Sequence, residues 1–310
     1  MIKRAAAAVL LLVAGGLAIL IARGEAPPAP PGQWWSRAGV EPRFADIDGL
    51  RVRYVRRGQG PPLVLLHGFG SSVYTWAAVI PALARDHDVV ALDLPVFGGS
   101  DVPAEPVPSL YPGIVLGLLD ELGIPRATLV GNSLGGAVAV VLAARHPERV
   151  RRLVLIDAAA FNLDPARRPA ILRMLGSRTV IAAVDSLPVH RFLVTLALRQ
   201  VFHDPARVTP EKIEEYLAPL SRPGIATALH SLMVHESGAG LPALVKEVRV
   251  PTLIVWGRDD RWIPVADADL FAAAIPGSRK VVLENCGHVP QEERPAEVVH
   301  LLQEFSPGGS

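Results

Sequence analysis

Cysteine is almost missing from this sequence. One residue in 310, Cys286, leaves no partner for a disulfide and no second thiol for a cysteine metal site within one chain. This says little about compartment, because a disulfide-free protein can live anywhere. An excess of charge is missing too. Lys and Arg number 31 against 30 Asp and Glu, for a formal net charge of +1. The first 26 residues hold Lys3, Arg4, Arg23 and Glu25, so the remaining body carries −1. No Lys/Arg stripe is present to neutralise phosphates, which argues against a nucleic-acid partner. The nine histidines show no metal-ligand spacing, and no G-x-G-x-x-G or P-loop pattern occurs. No metal or cofactor is therefore expected. Internal repeats are absent, and one short proline-rich tract is the only low-complexity segment.

What is present begins with an apolar run. Lys3 and Arg4 precede residues 5–22, which are 18 consecutive apolar or glycine residues, and Arg23, Gly24 and Glu25 stop it. A cleaved signal peptide has an apolar segment of about 7–15 residues, whereas a spanning helix needs about 17–25. The length favours an uncleaved anchor, and Pro27 directly after Ala26 makes a poor cleavage site there. The positive-inside rule would keep Lys3 and Arg4 cytoplasmic and place the body outside. Cleavage would instead make the body secreted or periplasmic. The tract Ala26-Pro27-Pro28-Ala29-Pro30-Pro31 reads as an extended stalk. Trp34 and Trp35, just beyond it, suit either the membrane interface or packing on the body. The division expected is anchor or signal 1–26, stalk 27–39, core 40–158 and 245–310, and an insertion 159–244.

Half the residues are apolar, enough for a sizeable core in one large domain or a domain with an insertion. Residues 43–48 and 51–56 alternate polar and apolar around Asp48-Gly49, which predicts an antiparallel hairpin. Continuous apolar runs at 62–66, 89–94, 127–130, 152–157 and 251–256 predict strands buried on both faces, and 280–284 a further strand. Helical patterns at 73–85, 110–122, 137–144, 265–274 and 295–305 alternate with them. Such alternation predicts an α/β fold, a mostly parallel sheet covered on both faces. Between about 159 and 244 the strands stop and helical patterns take over, at 169–175, 186–201, from Thr209-Pro210 toward Leu220, and at 225–234. An excursion there would lie over the C-terminal ends of the strands, where such sheets bind ligands. It reads as a lid. Its Phe161, Phe192 and Phe202 fit either an apolar pocket roof or ordinary lid core.

Gly131-Asn132-Ser133-Leu134-Gly135-Gly136 joins a predicted strand to a predicted helix. A serine at such a bend is held away from its backbone, at the C-terminal edge of the sheet. A serine hydroxyl is a poor nucleophile at neutral pH and needs a base, usually histidine, oriented by a carboxylate. The strand at 251–256 exits into Gly257-Arg258-Asp259-Asp260-Arg261-Trp262-Ile263-Pro264, which offers two aspartates. The strand at 280–284 exits into Asn285-Cys286-Gly287-His288-Val289-Pro290, which offers a histidine. The order serine, acid, histidine is that of nucleophile-elbow enzymes.

With those stations, and with His67-Gly68-Phe69-Gly70 and Gly98-Gly99-Ser100-Asp101, the chain resembles the α/β-hydrolase superfamily, in its branch with a helical cap, over roughly residues 40–305. The resemblance implies Ser133 as nucleophile, His288 as base and Asp260 as acid, three residues after Gly257. Asp259 is its unselected neighbour, and Asp157, after an earlier strand, is a second candidate. The resemblance also implies an oxyanion hole from the backbone N–H groups of Phe69 and Leu134. His67 reads as the residue that shapes the oxyanion loop. Asn132 and Gly68 are candidate substrate contacts, although Asn132 suits a purely backbone-bonding role equally well. Cys286 reads as a small buried filler. The resemblance implies a serine hydrolase acting on a small molecule, foremost a carboxylic ester with an apolar part. The alternatives are a carbon–carbon hydrolase of meta-cleavage type, a peroxidase-like enzyme with the same triad, and a ligand-binding protein without turnover. The G-N-S-x-G-G elbow suits the carbon–carbon enzymes, but these commonly carry tryptophan after the histidine, where this chain has Val289. A serine nucleophile argues against dehalogenase and epoxide hydrolase activity, which use aspartate.

Overall fold

The computed structural model describes Gly32, residues 34–161, Arg173, Ser177, and residues 190–235 and 240–307. The predicted anchor and the proline tract lie outside these, as do the expected helix at 169–175, apart from Arg173, and the start of that at 186–201. No described helix is long and apolar enough to cross a membrane.

The alternating segment forms a hairpin, β1 (Arg43–Ile47) and β2 (Leu50–Arg57), with Ile47 opposite Leu50. The Gly49 N–H donates to Asp46 Oδ1 and closes the turn. The apolar runs become β3 (Pro62–Leu66), β4 (Asp88–Leu92), β5 (Ala127–Asn132), β6 (Val150–Ile156), β7 (Thr252–Gly257) and β8 (Arg279–Leu283). They form one sheet in the order β1-β2-β4-β3-β5-β6-β7-β8. β2 runs antiparallel to β4, and every pair from β4 to β8 is parallel. Successive side chains of a strand face opposite ways, so both faces need cover. Val64, Leu66, Val90 and Leu92 join one apolar core, and Leu63, Leu65, Val89 and Ala91 join the other. Strand order reverses at β3, with β4 on one side and β5 on the other. That crevice is where open α/β sheets place ligands.

Two expectations are corrected at the edges. Residues 73–85 are not one helix. A 3₁₀ turn over Val73–Trp76 is capped by Ser72 Oγ, and the helix restarts at Ile80–Leu83. Pro81 has no N–H for the preceding turn and suits only the start of a helix. The stalk drawn to residue 39 is too long, because Trp34–Ala38 forms a helix, α1, that belongs to the body. Trp34 is 3% exposed and packs into the second core, which decides between the two readings of its position. Its ring also meets Tyr74 edge-on.

The helices flanking the sheet include α2 (Ile80–Leu83), α3 (Tyr111–Glu121) and α4 (Leu134–Arg145). Between β6 and β7 come α5 (His190–Val201), α6 (Pro210–Leu220), α7 (Ile225–His235) and α8 (Leu241–Glu247). Thr209 caps α6 as expected, its Oγ1 accepting from Lys212 N. α9 (Ala266–Ala274), α10 (Pro290–Glu293) and α11 (Pro295–Phe305) complete the chain. α8 and α10 escape a reading based on periodicity, since at seven and four residues they show too little of it.

Candidate active site

Ser133 stands between β5 and α4 with φ 53° and ψ −115°, a conformation an L-residue adopts only when its surroundings impose it. Strand and helix cross so tightly that a Cβ on Gly135 would lie 2.2 Å from the Leu66 carbonyl oxygen. Ser133 N donates to Ile156 O at 3.0 Å, which fixes the bend to β6. The loop after β3 lies directly over it: a Cβ on Gly68 would come within 3.2 Å of Ser133 Cβ. Phe69 follows Gly68 in that loop. Leu134 is the first residue of α4, where a helix leaves its backbone N–H groups without intrahelical partners.

His67 holds the loop. It is fully buried, its Nε2 accepts from Leu94 N at 3.0 Å, and its Nδ1 therefore donates to Gly68 O at 2.7 Å. Burial pushes its pKa below the ordinary histidine value, consistent with a neutral ring. Asp93, also fully buried, accepts from Val73 N at 2.7 Å and Gly99 N at 2.8 Å, and pairs with Arg53. Gly98-Gly99-Ser100-Asp101 is thus a structural station that shapes the β4 exit.

The two later loops meet. His288 Nδ1 lies 2.7 Å from Asp260 Oδ2, with both side chains buried. Asp260 Oδ1 accepts from Trp262 N at 2.7 Å and Ile263 N at 3.0 Å, so its carboxylate is held at both oxygens. With Nδ1–H donated to Asp260, His288 Nε2 carries the lone pair, and this atom has no hydrogen-bond partner among the described residues. Asp259 turns away and pairs with His203 at 2.9 Å. Asp157 lies behind Asp260, fully buried. Among the described residues, Asp157, Asp260 and His288 form the one acid and histidine group compact enough for a metal ion, but His288 Nδ1 is already committed to Asp260.

Asn132 ties the elbow to the histidine loop. Its Nδ2 donates to Ile156 O and His288 O, each at 3.1 Å, and the side chain is buried. Both amide protons are thus committed to main chain, which favours backbone bonding over substrate contact. Cys286 is fully buried, and burial pushes its thiol pKa up, as a filler requires. Phe161 meets Phe271 edge-on beside the main core, and Phe202 is buried in a helical cluster with Val194, Leu198, Val201 and Ile213. Neither is a free pocket roof. That cluster reaches Val289, and Trp262 packs on it with its ring 5.6 Å from that of His288.

Glu293 is the residue that sequence reasoning misses. Its Oε1 accepts from Gly287 N at 2.7 Å and its Oε2 from His203 N at 2.8 Å, while His288 N donates to Val201 O at 2.7 Å. Burial raises its pKa, opposed by those backbone donors. It follows His288 by five positions, but nothing in that spacing announces a partner ninety residues away.

Parallel strands, an elbow serine, and an acid–histidine pair on the last two strand exits define a hydrolase of the α/β type. A family model for the alpha/beta hydrolase fold matches residues 61–295, and the chain belongs to that family. It is 33% identical over 267 residues to a pimeloyl-[acyl-carrier protein] methyl ester esterase of Aeromonas hydrophila, covering 83% of this chain and 99% of the relative. It is 33% identical over 272 residues to a 2-hydroxymuconate semialdehyde hydrolase of a Pseudomonas species, covering 83% and 90%. Among solved structures it is similar to a membrane phospholipase A, a bacterial virulence factor, at a TM-score of 0.74 and 28% identity over 98% of this chain and 94% of that one.

Proposed function

We propose that the protein is a serine hydrolase working by acyl transfer. Ser133 attacks a carbonyl carbon while His288 Nε2 takes its proton. Asp260 stabilises the resulting imidazolium, and the N–H groups of Phe69 and Leu134 face the oxyanion. His288 then returns the proton to the leaving group, and water resolves the acyl-enzyme by the same route. One observation carries this reading: the buried His288–Asp260 pair leaves Nε2 without a partner among the described residues, in a loop bonded to the residue before Ser133. An oxyanion donor is worth about 2.7–4 kcal/mol of transition-state stabilisation.

The substrate class we infer is a carboxylic ester with an apolar part. The apolar helical cluster beside Val289 supports it, and so does the likeness to an esterase. The second reading is carbon–carbon cleavage, favoured by the likeness to the semialdehyde hydrolase and weakened by Val289. Turnover of p-nitrophenyl acyl esters, side by side with a vinylogous diketone acid, separates them. Preferential cleavage of the esters is the expected result, and a strong preference for the diketone acid replaces the first reading with the second. We further propose that residues 5–22 attach the body to a membrane on its extracytoplasmic side. The basic start, the 18-residue apolar run and the likeness to a membrane phospholipase A support this. Carbonate-resistant membrane association of the full chain, with the body open to external protease, is the expected outcome. Release of a shortened chain would mean a cleaved signal instead.

A further inference from the structure

Asp157 directly follows β6, with φ 45° and 0% exposure, and no step above uses it. Its Oδ1 accepts from Gly257 N at 3.0 Å. Among the described residues its buried Oδ2 meets no N–H or hydroxyl donor. One oxygen of Asp157, one of Asp260 and one ring nitrogen of His288 lie within 4.8 Å of one another. The charged groups acting on Asp157 are Asp260, from the loop after β7, and Glu293, from α10. Both are acids. The Cys286 thiol is close enough to feel the Asp157 carboxyl, and His288 stands on the Asp260 side.

Two buried carboxyls in this position do not both ionise, and a shared proton settles on the one with fewer donors. Asp260 accepts three hydrogen bonds, from Trp262 N, Ile263 N and His288 Nδ1, and Asp157 accepts one. We propose that Asp157 is a positioning residue of the acid–base pair: a protonated carboxyl whose Oδ2–H donates to Asp260 and keeps the site's single negative charge on the oxygens that face His288. The donation gives the buried Oδ2 a partner and fills a fourth lone-pair site on Asp260. Burial and the Asp260 charge both hold Asp157 well above the ordinary carboxyl range, in keeping with this. The arrangement also suits catalysis. A second negative charge here would stabilise the imidazolium further and oppose return of its proton to the leaving group. The inference rests on Asp260 being the acid of the proposed triad.

The test has one arm without activity and one with it. At neutral pH, the infrared difference spectrum between wild type and Asp157→Asn is expected to lose the carbonyl stretch of a protonated carboxylic acid. Loss of a carboxylate band instead overturns the proposal. In the kinetic arm, Asp157→Asn keeps an N–H donor toward Asp260, so kcat/KM stays within about threefold and the acid limb of its pH profile does not move. Asp157→Leu removes the donor, and kcat falls about tenfold at unchanged KM. An acid limb that moves down by about half a unit or more in Asp157→Asn shows that a charge was removed, which contradicts the proposal. So does an Asp157→Leu enzyme that turns over like Asp157→Asn. If the Leu variant does not fold, the infrared result and the Asp157→Asn profile still decide. If wild type turns over no ester, the serine hydrolase reading fails while the infrared arm still reports the proton.

Discussion

His288 has its two ring nitrogens in opposite situations. Nδ1 is bonded to a fixed carboxylate and Nε2 to nothing among the described residues. The carboxyl behind that carboxylate carries a pH signature in stability. Asp157 has an ordinary carboxyl pKa in the unfolded chain and a raised one in the native state. Between the two values the native protein holds a proton that the unfolded chain has released. Stability from this group is therefore fully present below about pH 4, where both forms are protonated, and is lost as pH rises toward the native pKa. Asp157→Asn removes that dependence. The Tm difference, variant minus wild type, is expected to grow from pH 4 to pH 8 in thermal unfolding. A difference that stays constant with pH would contradict a raised native pKa. At this scale Ser133, Asp260 and His288 were legible because each ends a recognisable apolar strand in a loop of fixed chemistry. The contacts of Asn132, Asp157 and Glu293 were not. Each is set by neighbours from other elements, such as Ile156 and His288 for Asn132 and Val201 and His203 for the Glu293 loop.

The loop carrying His288 and the end of α5 behave as one element. Glu293 bonds Gly287 N on one side and His203 N on the other, and Val201 O takes the His288 N–H between them. A second seam joins α6 to α10, where Glu292 receives Lys212 and Tyr216. A third uses Arg222, which donates to Ser100 O and Val96 O in the β4 exit. The segment leading into α1 adds to α6 through Glu215, which accepts from Gly32 N, and α1 itself through the Arg37–Glu211 pair. The helices after β6 are thus fastened close to the proposed base. Glu293→Gln leaves one oxygen for two N–H donors, the one on Gly287 buried, and an unsatisfied buried group costs about 1–3 kcal/mol. Thermal unfolding should show a lowered Tm, and ester kinetics a larger fall in kcat than rise in KM. An unchanged Tm would show that the seam contributes no stability. The presence of this helical segment was readable from the point where the strand rhythm breaks. Its fastening was not, because it depends on contacts between residues about 75 to 185 positions apart, such as Tyr216–Glu292 and Gly32–Glu215.

Across the whole molecule, the reversal of strand order at β3 brings the His67-Gly68-Phe69 loop and the Ser133 elbow to one crevice. The parallel run through β8 carries Asp260 and His288 to the same edge. The strand pattern foretold the parallel core, while Pro81 broke one expected helix and Trp34 drew the end of the expected stalk into the body. The central claim, that this edge is a serine nucleophile with its acid–base pair, is tested most directly by fluorophosphonate labelling followed by peptide mapping. Wild type should label at Ser133. Asp260→Asn should slow labelling by up to about four orders of magnitude, as loss of a triad carboxylate does elsewhere, and Asp259→Asn should label nearly as fast as wild type. A folded wild-type protein that does not label at Ser133, or a rate that follows Asp259 rather than Asp260, would contradict the account.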